Sequence, residues 1–515
     1  MTAPATPGPR EETPAAVSRP AAAPVPAAAP AGTVQIFAAS TLYGAATVCA
    51  ALDAGLFGPR ADHRRILLVC NNAAIPENAV PLDRTASFAA LRDRFDEVRS
   101  WNEEIEPYHP SGWTPRPEDV PILQRLMRRT WGLGDAPVEI AVESIQVSPA
   151  RAITAVFDEG PVHVYADGLM SYGPTRNPLP YLLHGRIRRL LHLDLVPGLR
   201  PLLLSEYGVE PQAVPTGAFL DVLASVGRAA PPTPAVPAVP AAPAAPAAPA
   251  GVDVPAAGDG SAPGPALLLG QYLSALGLIT PAEEEELHAR MLRGAVAAGL
   301  TDIVFKPHPS APSRLSRELE KAAADAGAAL RILDDPVLAE TLYERLRPSL
   351  VVGCFSTALL TAASLYGIPA ARVGTGLLLE RLAPYENSNR IPVTVVDALL
   401  PDLEAPGFTA ALPDPGPEGA AGRLGPLVTA VGYCMQGKAY PHLAAEAADW
   451  LHAHYGPDTA RYFKRRRLTA LGLPGGLPGG FAGGVPAGAR LLGRSPLVRR
   501  VVRQARARRS SPGVS

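Results

Sequence analysis

Four short stretches place side chains suited to proton transfer and phosphate binding where apolar runs end. In VHVYADGLMSY, Asp167 follows the run and precedes Gly168. An Asp-Gly turn fits. So does a carboxylate aimed out of a sheet, able to take a proton from an attacking hydroxyl. In FKPHPSAPSR, His308 leaves the apolar-centred segment Asp302 to Lys306, and Pro309 restricts its backbone. A structural histidine fits there. The alternative is an imidazole that, with Lys306 nearby, stabilises or protonates a departing phosphate. In GCFSTALL, Ser356 and Thr357 sit at a strand-to-helix turn. They can cap the helix, hold a phosphate beside its unsatisfied amides, or do both. In DDPVLAETLYERL, Glu340 opens a helix. It complements the helix dipole, or accepts hydrogen bonds from two ribose hydroxyls.

Other chemistries find little support. GCFSTA lacks the second glycine of a GxSxG nucleophile turn. No Walker sequence occurs, and TLYGAA stands where a GxGxxG loop would follow the first strand. Cys49, Cys70, Cys354 and Cys434 are far apart, with neither zinc nor disulfide spacing. No metal ligands are assigned; DDP at Asp334 to Pro336 is the one acidic feature that keeps a divalent ion open.

The elements that must position these groups alternate. Val34 to Ser40, Arg64 to Cys70, Val138 to Ser144 and the run before Asp167 read as strands. Small-residue helices intervene, one over Gly44 to Ala54 and one opening at Pro149. FDEG, Phe157 to Gly160, reads as a loop before the next strand. After a Pro/Ala tract the alternation restarts with ALLLGQYLS, a capped helix through PAEEEELHARMLRG, then TDIVFKPHP and LVVGC. Short apolar runs alternating with helices indicate parallel sheets covered on both faces. The expected organisation is a Pro/Ala-rich, disordered 1–32, an α/β domain over 33–228, a linker or loop at 229–265, a second α/β domain over 266–455, and a basic, partly disordered tail, 456–515. Ligands of such sheets bind beyond the carboxyl ends of the strands, so a cleft between the domains is the expected site.

The formal charge of −1 conceals an asymmetry: Arg461 to Ser515 hold 13 basic and no acidic residues, leaving −14 on the preceding 460. RYFKRRR and SPLVRRVVRQARARR offer a peripheral contact with the inner face of a membrane; a solvated or partner-binding tail is the alternative, and nucleic acid is not expected. With 43 Arg against four Lys, arginine-based arguments are weak throughout. No signal-like or membrane-spanning run stands out, and a cytoplasmic location is expected.

Taken in order, VYADGLMSY, FKPHP, PVLAE and CFSTA resemble the bacterial sialyltransferases, most closely the alpha-2,8-polysialyltransferase family, with its acidic-acidic-Gly, His-Pro and Ser-Ser or Ser-Thr motifs. The resemblance spans roughly Val34 to Trp450, apart from the Pro/Ala tract. It implies a GT-B fold, two Rossmann-like α/β/α domains facing across a cleft, and CMP-activated sialic acid as donor, with neither cofactor nor essential metal. It implies Asp167 as general base, Gly168 as its turn partner, His308 and Pro309 as the phosphate-side acid motif, Ser356 and Thr357 as a second phosphate contact, and Glu340 at the ribose. Arg176 is a candidate for the sugar carboxylate by proximity to Asp167. The acceptor would be a glycan or a lipid-linked saccharide. One departure stands out: Ala166 occupies the first acidic place, so tuning of Asp167 by a neighbouring carboxylate is expected to be missing. A GT-B enzyme using another sugar nucleotide, or a noncatalytic polysaccharide-assembly protein, are the alternatives.

Overall fold

The computed structural model describes residues 32–231, 264–308, 314–334, 337–412 and 419–477. Most of both Pro/Ala tracts, Pro309, Asp335 and Pro336, and the arginine-rich end of the tail lie outside the described residues.

The first sheet has seven parallel strands: β1 (Thr33–Ala39), β2 (His63–Val69), β3 (Glu97–Ser100), β4 (Val138–Val142), β5 (Val162–Ala166), β6 (Ile187–Leu193) and β7 (Pro211–Val214), in the order β3-β2-β1-β4-β5-β6-β7. The second has five, β8 (Ala266–Leu269), β9 (Asp302–Lys306), β10 (Ala329–Ile332), β11 (Leu350–Gly353) and β12 (Ala370–Arg372), ordered β10-β9-β8-β11-β12. These are two Rossmann-like sheets with flanking helices facing across a cleft, the GT-B-like arrangement that the resemblance implies. The buried runs in β1, β2, β8 and β11 follow from being covered on both faces.

Three strands escape the sequence pattern. β3 is short, half-buried and at an edge, β6 carries Arg188 and Arg189, and β7 opens on a proline tolerated at its sheet's other edge. Arg189 belongs to a polar row crossing five strands. Its Nε donates to His163 Nδ1 at 2.9 Å, His163 Nε2 meets Glu139 at 2.5 Å, and Gln35 donates to Glu139 at 2.8 Å while receiving from Arg65. Each of these five side chains thus finds a partner within the row.

The two sheets share one apolar core, and the chain crosses between them twice. At the first crossing Arg345 donates to the carbonyls of Gly227 and Ala230. The helix Gly419–Gln436 then returns to the first domain, where Gly432 lies against Leu202 and Pro174. The start of the tail is folded rather than free. RYFKRRR leads into the helix Arg465–Leu471; Arg467 donates to the carbonyls of Cys434 and Met435, and Arg461 pairs with Asp397 at 2.9 Å. A membrane contact by this half of the tail would compete with those bonds. Among the described residues no helix is long and apolar enough to cross a membrane, and the four cysteines are free and buried.

Candidate active site

Asp167 leaves the carboxyl end of β5, and Gly168 continues in extended backbone into the turn Leu169–Tyr172. The neighbouring strand supplies a second carboxylate that the sequence reading did not single out. Glu143 leaves β4, which pairs with β5 through Val142 and Val164. Burial and then the negative charge of Asp167 push Glu143 up to about 7, against a hydrogen bond from Ser40 at the exit of β1. Burial likewise holds Asp167 above the usual carboxylate range, opposed by its own backbone amide. The expectation that Ala166 leaves Asp167 without a neighbouring carboxylate is therefore corrected: the acid comes from the adjacent strand, 24 residues upstream. Its only sequence signal was a charge directly behind the apolar run VEIAV.

The local fold accommodates Glu143 closely. The helix Leu42–Asp53, capped by Thr41, starts beside it, and a Cβ on Gly44 would lie 3.3 Å from both Glu143 Oε2 and the Tyr165 hydroxyl. The sequence TLYGAA is thus a close approach of a helix start to a carboxylate. Ser144, next in the chain, has φ 48°, a left-handed conformation that costs a non-glycine residue about 1–3 kcal/mol.

From the second domain, the turn after β11 faces these acids. Ser356 caps the helix Thr357–Leu365 by accepting from Ala358 N–H at 3.3 Å, and Gln271 beyond β8 accepts from Phe355 N–H at 2.7 Å. The capping reading of Ser356 is what the geometry shows; the hydroxyl remains on the cleft wall. The two turns approach closely at Gly168, where a Cβ would stand 3.1 Å from Thr357 Oγ1. Asp167, Gly168, Ser356, Thr357, Glu143 and Arg176 line one cleft of about 510 Å³.

Glu340 and His308 do not line that cleft. Glu340 is buried at the domain junction, where burial raises it to about 7 against hydrogen bonds from its own amide and Thr361 and the charge of Lys306, while Asp167 pushes it further up. Tyr43 joins it there, with its hydroxyl 3.5 Å from Thr361 Oγ1. His308 sits at the β9 exit, beyond the buried Lys306. Loss of hydration and then the Lys306 charge lower its pKa, and Glu284 acts in the opposite sense. Glu284 is itself fixed, accepting from Leu273 N–H at 2.5 Å and Ser274 Oγ at 2.6 Å. The carboxyl ends of β4, β5 and β11 thus meet at the cleft, while the β9 exit brings Lys306 and His308 beside the second domain's own acids, Glu340 and Glu284, outside the cleft lining.

The family model described as alpha-2,8-polysialyltransferase (POLYST) matches residues 35–375. No curated protein matches the chain. Among solved structures, the GT-B domain of the Photobacterium damselae sialyltransferase is similar at 11% identity and TM-score 0.35, over 71% of this chain and 96% of that one. Acinetobacter baumannii MurG is similar at 10% and 0.36, over 71% and 83%. The S. aureus MnaA-UDP co-structure gives 11% and 0.36, over 80% and 97%.

Proposed function

The chain belongs to the alpha-2,8-polysialyltransferase family, and on that premise we propose that this glycosyltransferase moves sialic acid, or a related nonulosonic acid, from a CMP-activated donor to a glycan hydroxyl. The observation that carries the reading is the meeting of Asp167 and Gly168 from one domain with Ser356 and Thr357 from the other in a single cleft. Family membership alone leaves the donor open; this cleft pairs a proton acceptor with a phosphate-type wall.

In this mechanism the acceptor hydroxyl attacks the anomeric carbon while Asp167 takes its proton. The bond from that carbon to the phosphate oxygen breaks with its electron pair on CMP, and the linkage forms with inversion. Charge gathering on the departing phosphate meets the start of the Thr357–Leu365 helix, Ser356 and, as the domains close, His308 with Lys306 behind it. Glu340 reaches the ribose only if closure opens its junction, and Pro309 would fix the His308 loop. Arg176 offers the sugar carboxylate a bidentate donor. Glu143, its own proton affinity raised by burial and by the charge of Asp167, stands beside the base from the adjacent strand, where Ala166 replaces the first acid of the family's motif. The acceptor enters from the first domain; the domain boundaries at 33–228 and 266–455 are part of this proposal.

Incubation of the full chain with CMP-sialic acid and saccharide acceptors, without added metal, tests it by CMP release and sugar transfer. Asp167→Ala should lower kcat about 10²–10⁴-fold, and His308→Ala about 10²–10³-fold. A folded protein that turns over UDP-sugars and leaves CMP-sugars untouched would overturn the donor assignment.

A further inference from the structure

Two further cavities continue from the cleft along the carboxyl edge of the first sheet. One, of about 360 Å³, shares Glu143, Ser144 and Val147 with the cleft and extends past Ser40 and Ser148 to Asn72 and Ser111. The other, of about 420 Å³, begins at Asn71 and His109 and holds Glu77, Glu103, Glu106 and Tyr108. They abut where Ser111 Oγ donates to Asn72 at 3.3 Å and His109 Nε2 donates to the Ala73 carbonyl at 2.9 Å. The floor of the outer cavity is fixed: Asn71 N–H donates to Asn102 Oδ1 at 2.8 Å, and Asn102 returns a bond to the Asn71 carbonyl at 3.0 Å.

Two features describe what this run can hold. Tyr108 is 58% exposed at the outer cavity and stacks on Trp113, with ring centroids 5.7 Å apart and planes at 16°. A rigid aromatic face in a groove that mixes prolines with acids and amides suits the C–H face of a pyranose, with Asn71, Asn102 and Ser100 nearby for the sugar's own hydroxyls. The charge is one-signed: among the described residues lining the two cavities there are four carboxylates and no lysine or arginine. His109 has both ring nitrogens engaged, since Nδ1 accepts from Ser111 N–H at 3.2 Å. A polyanion laid there would meet like charge at successive residues, which costs affinity.

We infer that these cavities are an extended acceptor subsite for an uncharged oligosaccharide, so that the chain adds its sugar to a neutral glycan rather than to a sialic acid polymer. This rests on the proposed entry of the acceptor from the first domain.

Saturation-transfer NMR on the full chain tests it without a donor, comparing neutral gluco-, galacto- and manno-configured tetrasaccharides with tetrasialic acid at low and moderate salt. At least one neutral tetrasaccharide should bind about tenfold more tightly than tetrasialic acid. Tyr108→Ala should weaken the neutral ligand about tenfold and Tyr108→Phe should restore it. Combined Glu77→Gln, Glu103→Gln and Glu106→Gln should strengthen tetrasialic acid at low salt and leave the neutral ligand within twofold. Tighter binding of tetrasialic acid, no bound neutral sugar, or an unchanged affinity in Tyr108→Ala would overturn the inference. CMP release from CMP-sialic acid, measured on the same preparation, separates failure of the donor reading from failure of this one.

Discussion

Asp167 was legible because its motif is local: a strand exit, an acid and a glycine stand together in the chain. Glu143 was not, because only the sheet order brings β4 beside β5. Their coupling has a measurable consequence. With burial raising Asp167 and Glu143 carried up to about 7, the pair releases its protons in shared steps. Activity that needs the Asp167 carboxylate should rise with pH through an apparent pKa above the ordinary carboxylate range. Removing one negative charge by Glu143→Gln lets Asp167 ionise more easily, so that limb should move to lower pH. A pH profile of kcat/KM for both proteins checks this; a limb that stays in place would show that Glu143 does not act on the base. Stability has the opposite sense. A carboxyl whose folded pKa exceeds its unfolded one stabilises most below the unfolded value, 4.5 for glutamate, and Glu143 and Glu340 lose that contribution as pH rises to about 7.

Strand and helix starts were read well where burial on both faces makes an unbroken apolar run, as in β1, β2 and β11, and poorly where arginines or an edge break the run, as in β3, β6 and β7. Turns carry the site, and their fit is set by partners from another element. Gly168 illustrates this. Its backbone, φ −137° and ψ 179°, is open to any residue, so local sequence rules gave it a turn role that its geometry does not require. What it lacks is space, with Thr357 Oγ1 at 3.1 Å from a Cβ. Gly168→Ala should therefore fold normally, with its melting curve close to that of the parent. The added methyl should push the Thr357 side chain back from the cleft by a few tenths of an ångström and weaken CMP binding about tenfold. Calorimetric titration of CMP reads this; unchanged affinity would mean that the two turns separate when nucleotide binds.

At the scale of the molecule, the two-domain plan was legible in the repeated alternation, whereas the way the halves are tied was not, since no local pattern says which distant surface a helix will meet. The return of Gly419–Gln436 delivers Tyr440 into the first domain, where its buried hydroxyl accepts from Thr175 N–H at 2.9 Å and donates to Glu206 at 2.5 Å. Thr175 in turn accepts from Leu204 N–H at 2.9 Å, and Gln436 donates to the Arg176 carbonyl at 2.8 Å. One tyrosine from the end of the fold thus anchors the loop that carries Arg176 on the cleft wall. Tyr440→Phe keeps the ring and leaves the buried Thr175 amide without its acceptor, at roughly 1–3 kcal/mol. The expected result is a lower melting temperature, together with faster hydrogen exchange confined to residues 173–178. Because the loop would sample more positions around the donor, the KM for the sugar nucleotide should rise more than kcat falls. If exchange instead speeds up across both sheets, the tyrosine holds the whole domain interface rather than this loop. The proportions of KM and kcat would then change together, as they do when a hinge is altered.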